Sequence, residues 1–137
     1  MKIRNYTDTD YNYIISIWQT VLPDTKPHNK PQTSLEKKLK SNDGLLLLAE
    51  EDNKIIGTAM GGYDGHRGWI YSVAVLPDYR RKGIARKLLK ELERKLTELG
   101  CLKVNLQVRA TNSDVILFYK KCGFEIEEII SMGKRLY

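Results

Sequence analysis

The sequence predicts an α/β domain: a mixed β-sheet covered by helices on both faces, in the order β-α-α-β-β-β-α-β-α-β-β. Three observations predict it. Apolar, strand-like runs such as 44–50 and 69–76 alternate with segments of helical periodicity, of which 84–99 is the longest. Asp52-Asn53 is a two-residue turn between two such runs, which makes them an antiparallel hairpin. The run Val73 to Arg86 passes directly from a strand through a basic loop into a helix.

Each element has a local cause. Residues 2–6 read as the first strand. Asp8 or Thr9 can cap a helix through about Leu22, with Ile14, Ile15, Ile17, Trp18, Val21 and Leu22 on its apolar side. Pro23, Pro27 and Pro31 make the next connection irregular, and Thr33-Ser-Leu-Glu36 is a capping-box signature for a short helix to about Lys40. Residues 44–50 and 54–63 form the hairpin, and 64–68 link it to a strand over 69–76. Helix 84–99 places Ile84, Leu88, Leu92, Leu96 and Leu99 on one side, and Gly100 ends it. A strand over 103–108 precedes a short helix opened at Asn112, and 124–130 and 134–136 read as final strands around a turn at 131–133.

Composition sets limits. A chain of 137 residues is expected to be one domain, 1–137, long enough for a sizeable core. No apolar run approaches the roughly 18 residues of a membrane span, and the N-terminus enters a strand pattern without an apolar signal region, so a cytoplasmic protein is expected, with no membrane partner. Cys101 and Cys122 match neither a metal nor a disulfide pattern, and with two histidines no metal site is expected. The net charge of +6 permits a nucleic-acid surface, an anionic-cofactor site or a solubilising surface. The densest basic cluster surrounds a glycine at a helix start, with Tyr79 its only close aromatic. That favours a compact phosphate ligand and no nucleic acid.

That cluster is Arg80-Arg81-Lys82-Gly83-Ile84-Ala85-Arg86. A helix N-terminus carries unpaired N–H groups and a partial positive charge, so a diphosphate is stabilised there by hydrogen bonds and by the dipole. Small residues let the phosphate reach the backbone, and the surrounding cations add formal charge. Neither a P-loop nor a G-x-G-x-x-G fingerprint occurs.

The spacing Arg80-x-x-Gly83-x-Ala85 resembles the coenzyme A pyrophosphate motif of the GCN5-related N-acetyltransferases, the GNAT family. A second stretch agrees: Asn112, Tyr119 seven residues on, and Gly123-Phe124 closing the helix are similar to that family's last helix. The longer string from Leu106 to Asn112 resembles the protein N-terminal (ribosomal alanine) acetyltransferases within it. The resemblance covers the chain from about Leu45 onward and implies the GNAT acyl-CoA N-acyltransferase fold, with acetyl-CoA as cofactor. It implies that Val73, Ala74 and Val75, at the splayed strand four, meet the pantetheine arm, although alternation in this strand does not show a bulge. It implies that Arg80, Arg81, Lys82, Gly83, Ile84, Ala85 and Arg86 hold the pyrophosphate. Asn112 and Tyr119 complete the cofactor side, with Tyr119 as the catalytic group for the leaving thiolate.

Acetyl transfer to an amine also requires a neutral amine. Where the N-terminal acetyltransferases carry a glutamate on strand five, this chain has Gln107, which cannot act as a base. Glu50, Glu51, Asp64, Tyr63 and His66 remain as bases through a water, or solvent serves. The stretch 61–68, with four glycines, either lines an acceptor pocket or only turns a hairpin. The expected activity is transfer from acetyl-CoA to a primary amine by direct attack on the thioester. The acceptor is a small molecule or a protein or peptide amine, and the enzyme is a monomer or homodimer. The alternative is a non-catalytic acyl-CoA-binding or sensing module.

Overall fold

The first strand, β1 (Lys2–Asn5), is tied to the turn that follows it through Asp10. Thr7 donates to Asp10 Oδ2 from its N–H (2.9 Å) and its hydroxyl (3.1 Å), so the chain reverses at Thr7, ahead of the expected caps Asp8 and Thr9. Arg4 forks the same carboxylate at 2.8 and 2.9 Å and reaches Glu50 at 2.9 Å. Helix α1 (Tyr11–Val21) then buries Ile14, Ile15, Ile17 and Trp18. Helix α2 (Pro31–Ser41) starts at Pro31, two residues before the expected Thr33. A proline at the first helical position has no N–H to leave unpaired and has φ already set.

The hairpin of β2 (Leu46–Glu51) and β3 (Lys54–Tyr63) forms as expected, with Asp52 and Asn53 at φ 51 and 62, the positive values that a tight two-residue turn requires. Strand β4 (Gly68–Val75), helix α3 (Ile84–Glu98) and β5 (Val104–Asn105) follow. The five strands lie in sequence order, antiparallel through β4, with β5 parallel to β4. This is the mixed sheet the sequence predicts.

One sheet face packs α1 and α2 through Ile14, Trp18, Leu35, Leu48 and Met60. The other receives α3, whose Leu88, Leu92 and Leu96 are fully buried, each contributing on the order of 2 kcal/mol. Glycines permit that approach. A Cβ on Gly61 would lie 2.8 Å from Leu92 Cδ1, and one on Gly68 would lie 2.8 Å from Cys101 Sγ. Those two glycines of 61–68 therefore seat a helix and its following loop.

The structure, a computed structural model, describes all 137 residues as two units, Met1–Leu106 and Gln107–Tyr137. The second holds α4 (Ser113–Lys121), which closes where Cys122 N–H meets Phe118 O (3.1 Å) and Phe124 N–H meets Tyr119 O (3.0 Å), with Gly123 at φ 97. Three strand expectations are corrected. The strand expected over 103–108 is two residues long, and those over 124–130 and 134–136 do not form. Alternating residues mark a face, but a strand exists only with a ladder partner. The tail has none, and Ile126, Ile130, Met132 and Leu136 are exposed.

Candidate functional site

β4 pairs with β5 only at Gly68↔Val104 and Trp69↔Asn105, so its outer edge is open from Ile70 onward. Against β3, Thr58 lies opposite Ala74 and Met60 opposite Tyr71. Ser72 and Val73 therefore face the single residue Ala59, which is a β-bulge. Ser72 stands at φ 49. This bulge was not visible in the strand's alternation.

The bulge sets which backbone groups face outward. Leu76 N–H bonds to Ile56 O at 2.9 Å, so Leu76 points toward β3. By the alternation of a ladder, Ala74 does so too, and Val75 and Val73 turn their N–H and C=O groups to the open side. Arg80 supports this assignment, because its Nε donates to Val75 O at 3.1 Å. Of the three strand-four positions named from the sequence, Val73 and Val75 thus offer outward backbone donors, and Ala74 is committed to the sheet.

Beyond β4, a turn at Pro77–Tyr79 leads to the basic loop. Lys54 and Lys82 each place an ammonium over the Tyr79 ring, 5.5 and 5.4 Å from its centre. Gly83 has φ 75, and helix α3 begins at the next residue with no side-chain cap. The first helical amide with a carbonyl partner is Lys87 N–H, on Gly83 O at 3.1 Å. The amides of Ile84, Ala85 and Arg86 consequently remain outside the ladder. Arg80, Arg81, Lys82 and Arg86 are exposed around them, and a Cβ on Gly83 would find nothing within 4 Å. Open space above unpaired amides, ringed by cations, fits a diphosphate.

In the second unit, Tyr119 is half-buried, its ring edge-on to Phe118 and Phe124 at 5.2 and 5.7 Å between centres. Burial pushes its phenol up to about 12, with Cys122 adding to the effect. The hydroxyl is therefore a firm proton holder. Asn112 stands at the head of α4, and Gln107 Nε2 donates to Ser131 Oγ at 2.6 Å.

Three of the five base candidates are engaged elsewhere. Glu50 is bound to Arg4 at 2.9 Å. Asp64 Oδ1 accepts the N–H groups of His66 and Arg67, both at 2.8 Å, and these hold its carboxyl below the usual range. Tyr63 donates to Gly65 O at 3.1 Å. Glu51 ends β2 at the hairpin turn, and His66 is exposed in the turn before β4.

The residues missed in the sequence are Thr58 and Ser72. A lone hydroxyl inside the apolar run 55–60 was the available signal, since a buried hydroxyl needs a partner.

Known proteins resemble this chain over nearly its whole length. The model of the acetyltransferase (GNAT) family matches residues 11–124. An acetyltransferase of Pectobacterium atrosepticum is 42% identical over 136 residues, covering 99% of this chain and 96% of that protein. Among solved structures, an aminoglycoside N-acetyltransferase in complex with CoA is similar at TM-score 0.80 and 20% identity, covering 99% of this chain and 95% of that one. A ribosomal-protein-alanine N-acetyltransferase from Brucella melitensis is similar at TM-score 0.74 and 24% identity, covering 91% and 85%. The chain belongs to the GNAT family of acetyltransferases, and its activity is transfer of an acetyl group from acetyl-CoA to an amine.

Proposed function

We propose that the 137 residues act as one cytoplasmic catalytic domain that acetylates a primary amine, with the donor's pyrophosphate on the amides of Arg81 to Arg86 and its thioester along the open edge of β4. The observation that carries this reading is continuity: outward donors at Val73 and Val75 lead, within about ten residues, to the unpaired head of α3. Acetyl-CoA supplies the activated acetyl group: the amine nitrogen forms the amide bond as the C–S bond breaks, and the proton lost by nitrogen ends on sulfur.

Each residue then has a defined task. Val73 or Val75 N–H hydrogen-bonds the carbonyl oxygen, which becomes more negative in the transition state, so the bond strengthens as the reaction proceeds. Arg80, Lys82 and Arg86 add charge around the α3 amides. Tyr119 donates a hydrogen bond to the departing thiolate, a role resting on its match to the family motif. With its phenol at about 12 against about 8.5 for a thiol, full proton transfer would be uphill by about 5 kcal/mol. Tyr119 therefore stabilises by hydrogen bonding, and the sulfur is protonated later.

Amine deprotonation is left to solvent, because Glu50, Asp64 and Tyr63 are engaged elsewhere, Gln107 is not a base, and Glu51 and His66 lie beyond the two ends of β3, away from the bulge opposite Ala59. One structural neighbour acts on aminoglycosides and another on ribosomal-protein alanine. For this chain the acceptor is a small-molecule or peptide amine. Calorimetric titration with CoA, followed by CoA-release assays over a panel of amines and peptides, tests the proposal. Failure of the folded protein to bind CoA would refute it.

A further inference from the structure

We propose that Trp18 and Thr58 are positioning residues for the thioester carbonyl, acting through a buried hydrogen-bond relay that sets the bulge in β4. The inference rests on the reading of the β4 edge given above and assigns its geometry to two side chains that never reach the open edge. Thr58 is fully buried in the middle of β3, and Trp18 on α1 is 2% exposed. Trp18 Nε1 donates to Thr58 Oγ1 at 2.9 Å, and Thr58 Oγ1 donates to Ser72 O at 2.8 Å.

The direction of this chain is fixed. Indole N–H can only donate, so the Thr58 oxygen must accept it and has its single proton left for the Ser72 carbonyl. Ser72 is the residue at φ 49, a left-handed conformation that an L side chain enters at a cost and that persists where its surroundings hold it. The relay is the hold: a buried hydroxyl grips the carbonyl of the strained residue. Just beyond Ser72, Val73 and Val75 turn their N–H groups outward. Loss of the bulge would slip β4 by one residue against β3 and reverse which amides face the donor.

Thr58→Val keeps the shape and removes the hydroxyl, Thr58→Ser keeps the hydroxyl, and Trp18→Phe removes the first donor together with part of the buried ring volume. Calorimetry with CoA and with acetyl-CoA is combined with kcat and KM. Since the α3 cradle is untouched and CoA lacks the thioester carbonyl, Thr58→Val should lose much less CoA affinity than kcat, and any parental preference for acetyl-CoA should shrink. Its kcat should fall about 10- to 100-fold, less than for outright deletion of an oxyanion donor, because the donor is displaced and not removed. Thr58→Ser should recover most of the loss, and Trp18→Phe should lie between.

Parental kcat in folded Thr58→Val would overturn the inference. So would equal losses in Thr58→Ser and Thr58→Val, or a loss of CoA affinity parallel to the loss of kcat. Should Thr58→Val fail to fold, the comparison of Trp18→Phe with Thr58→Ser decides on the same criteria. A parent that binds no CoA would instead overturn the underlying cradle reading.

Discussion

Replacing Gly83 by glutamate should abolish CoA binding while leaving a folded protein, and the two effects separate because their causes differ. Gly83 sits at φ 75, where an L side chain costs about 1 to 2 kcal/mol. Its Cβ would meet nothing within 4 Å, so no packing penalty is added. Gly83→Ala should therefore lose only that conformational increment in a urea melt. In Gly83→Glu the side chain extends into the space above the amides of Ile84, Ala85 and Arg86 and brings a carboxylate toward the diphosphate. Losing two charge-assisted hydrogen bonds at about 1.5 to 3 kcal/mol each weakens binding roughly 100- to 10,000-fold. Calorimetric titration with CoA reads this directly. Parental CoA affinity in folded Gly83→Glu would refute the cradle.

Other expectations follow from the same geometry. Tyr119→Phe should lower kcat about 100- to 10,000-fold with CoA affinity near that of the parent; equal kcat where chemistry limits the rate would remove Tyr119 from the mechanism. Arg80→Ala should weaken CoA binding more than Lys82→Ala, because Arg80 also holds Val75 O whereas Lys82 rests over the Tyr79 ring; the reverse order in calorimetry would contradict this. The Arg4 guanidinium holds the Asp10 carboxyl below its usual value, so its contribution is present above about pH 4 and lost as pH falls through the folded-state value. Asp10→Asn should flatten that acid limb in urea melts and cost about 3 kcal/mol at neutral pH, the low end for a broken buried pair because Arg4 is 21% exposed. The rate should climb with pH toward the pKa of the acceptor amine and shift with amines of different basicity; one fixed limb near pH 6 to 7 for every amine would mean a dedicated base.

The parts of the site that were legible in the sequence are local ones. Arg80-x-x-Gly83-x-Ala85 announces a helix start because the glycine, the cations and the free amides are neighbours in the chain. The hairpin at Asp52-Asn53 is legible for the same reason. The bulge is not, since Ser72 is held by Thr58 and Thr58 by Trp18, 40 residues away from it. The glycines at 61 and 68 read as turn or pocket residues because the Leu92 and Cys101 side chains that require them are distant in sequence. Proline chemistry at Pro31 shifted a helix start that the capping pattern at Thr33 suggested. At 124–130, alternation supplied a face but no partner strand.

Direct transfer is tested most directly by mixing the enzyme with acetyl-CoA in the absence of any amine. The acyl group should stay on CoA: no burst of free thiol, no acetylated protein by intact-mass spectrometry, and stoichiometric CoA release only when an amine is added. Cys101, whose thiol donates to Lys103 O at 3.2 Å, and Cys122 should both remain unmodified. A burst of CoA matching the enzyme concentration, with an acetylated residue that then passes its acyl group to the amine, would contradict direct attack and establish a covalent intermediate.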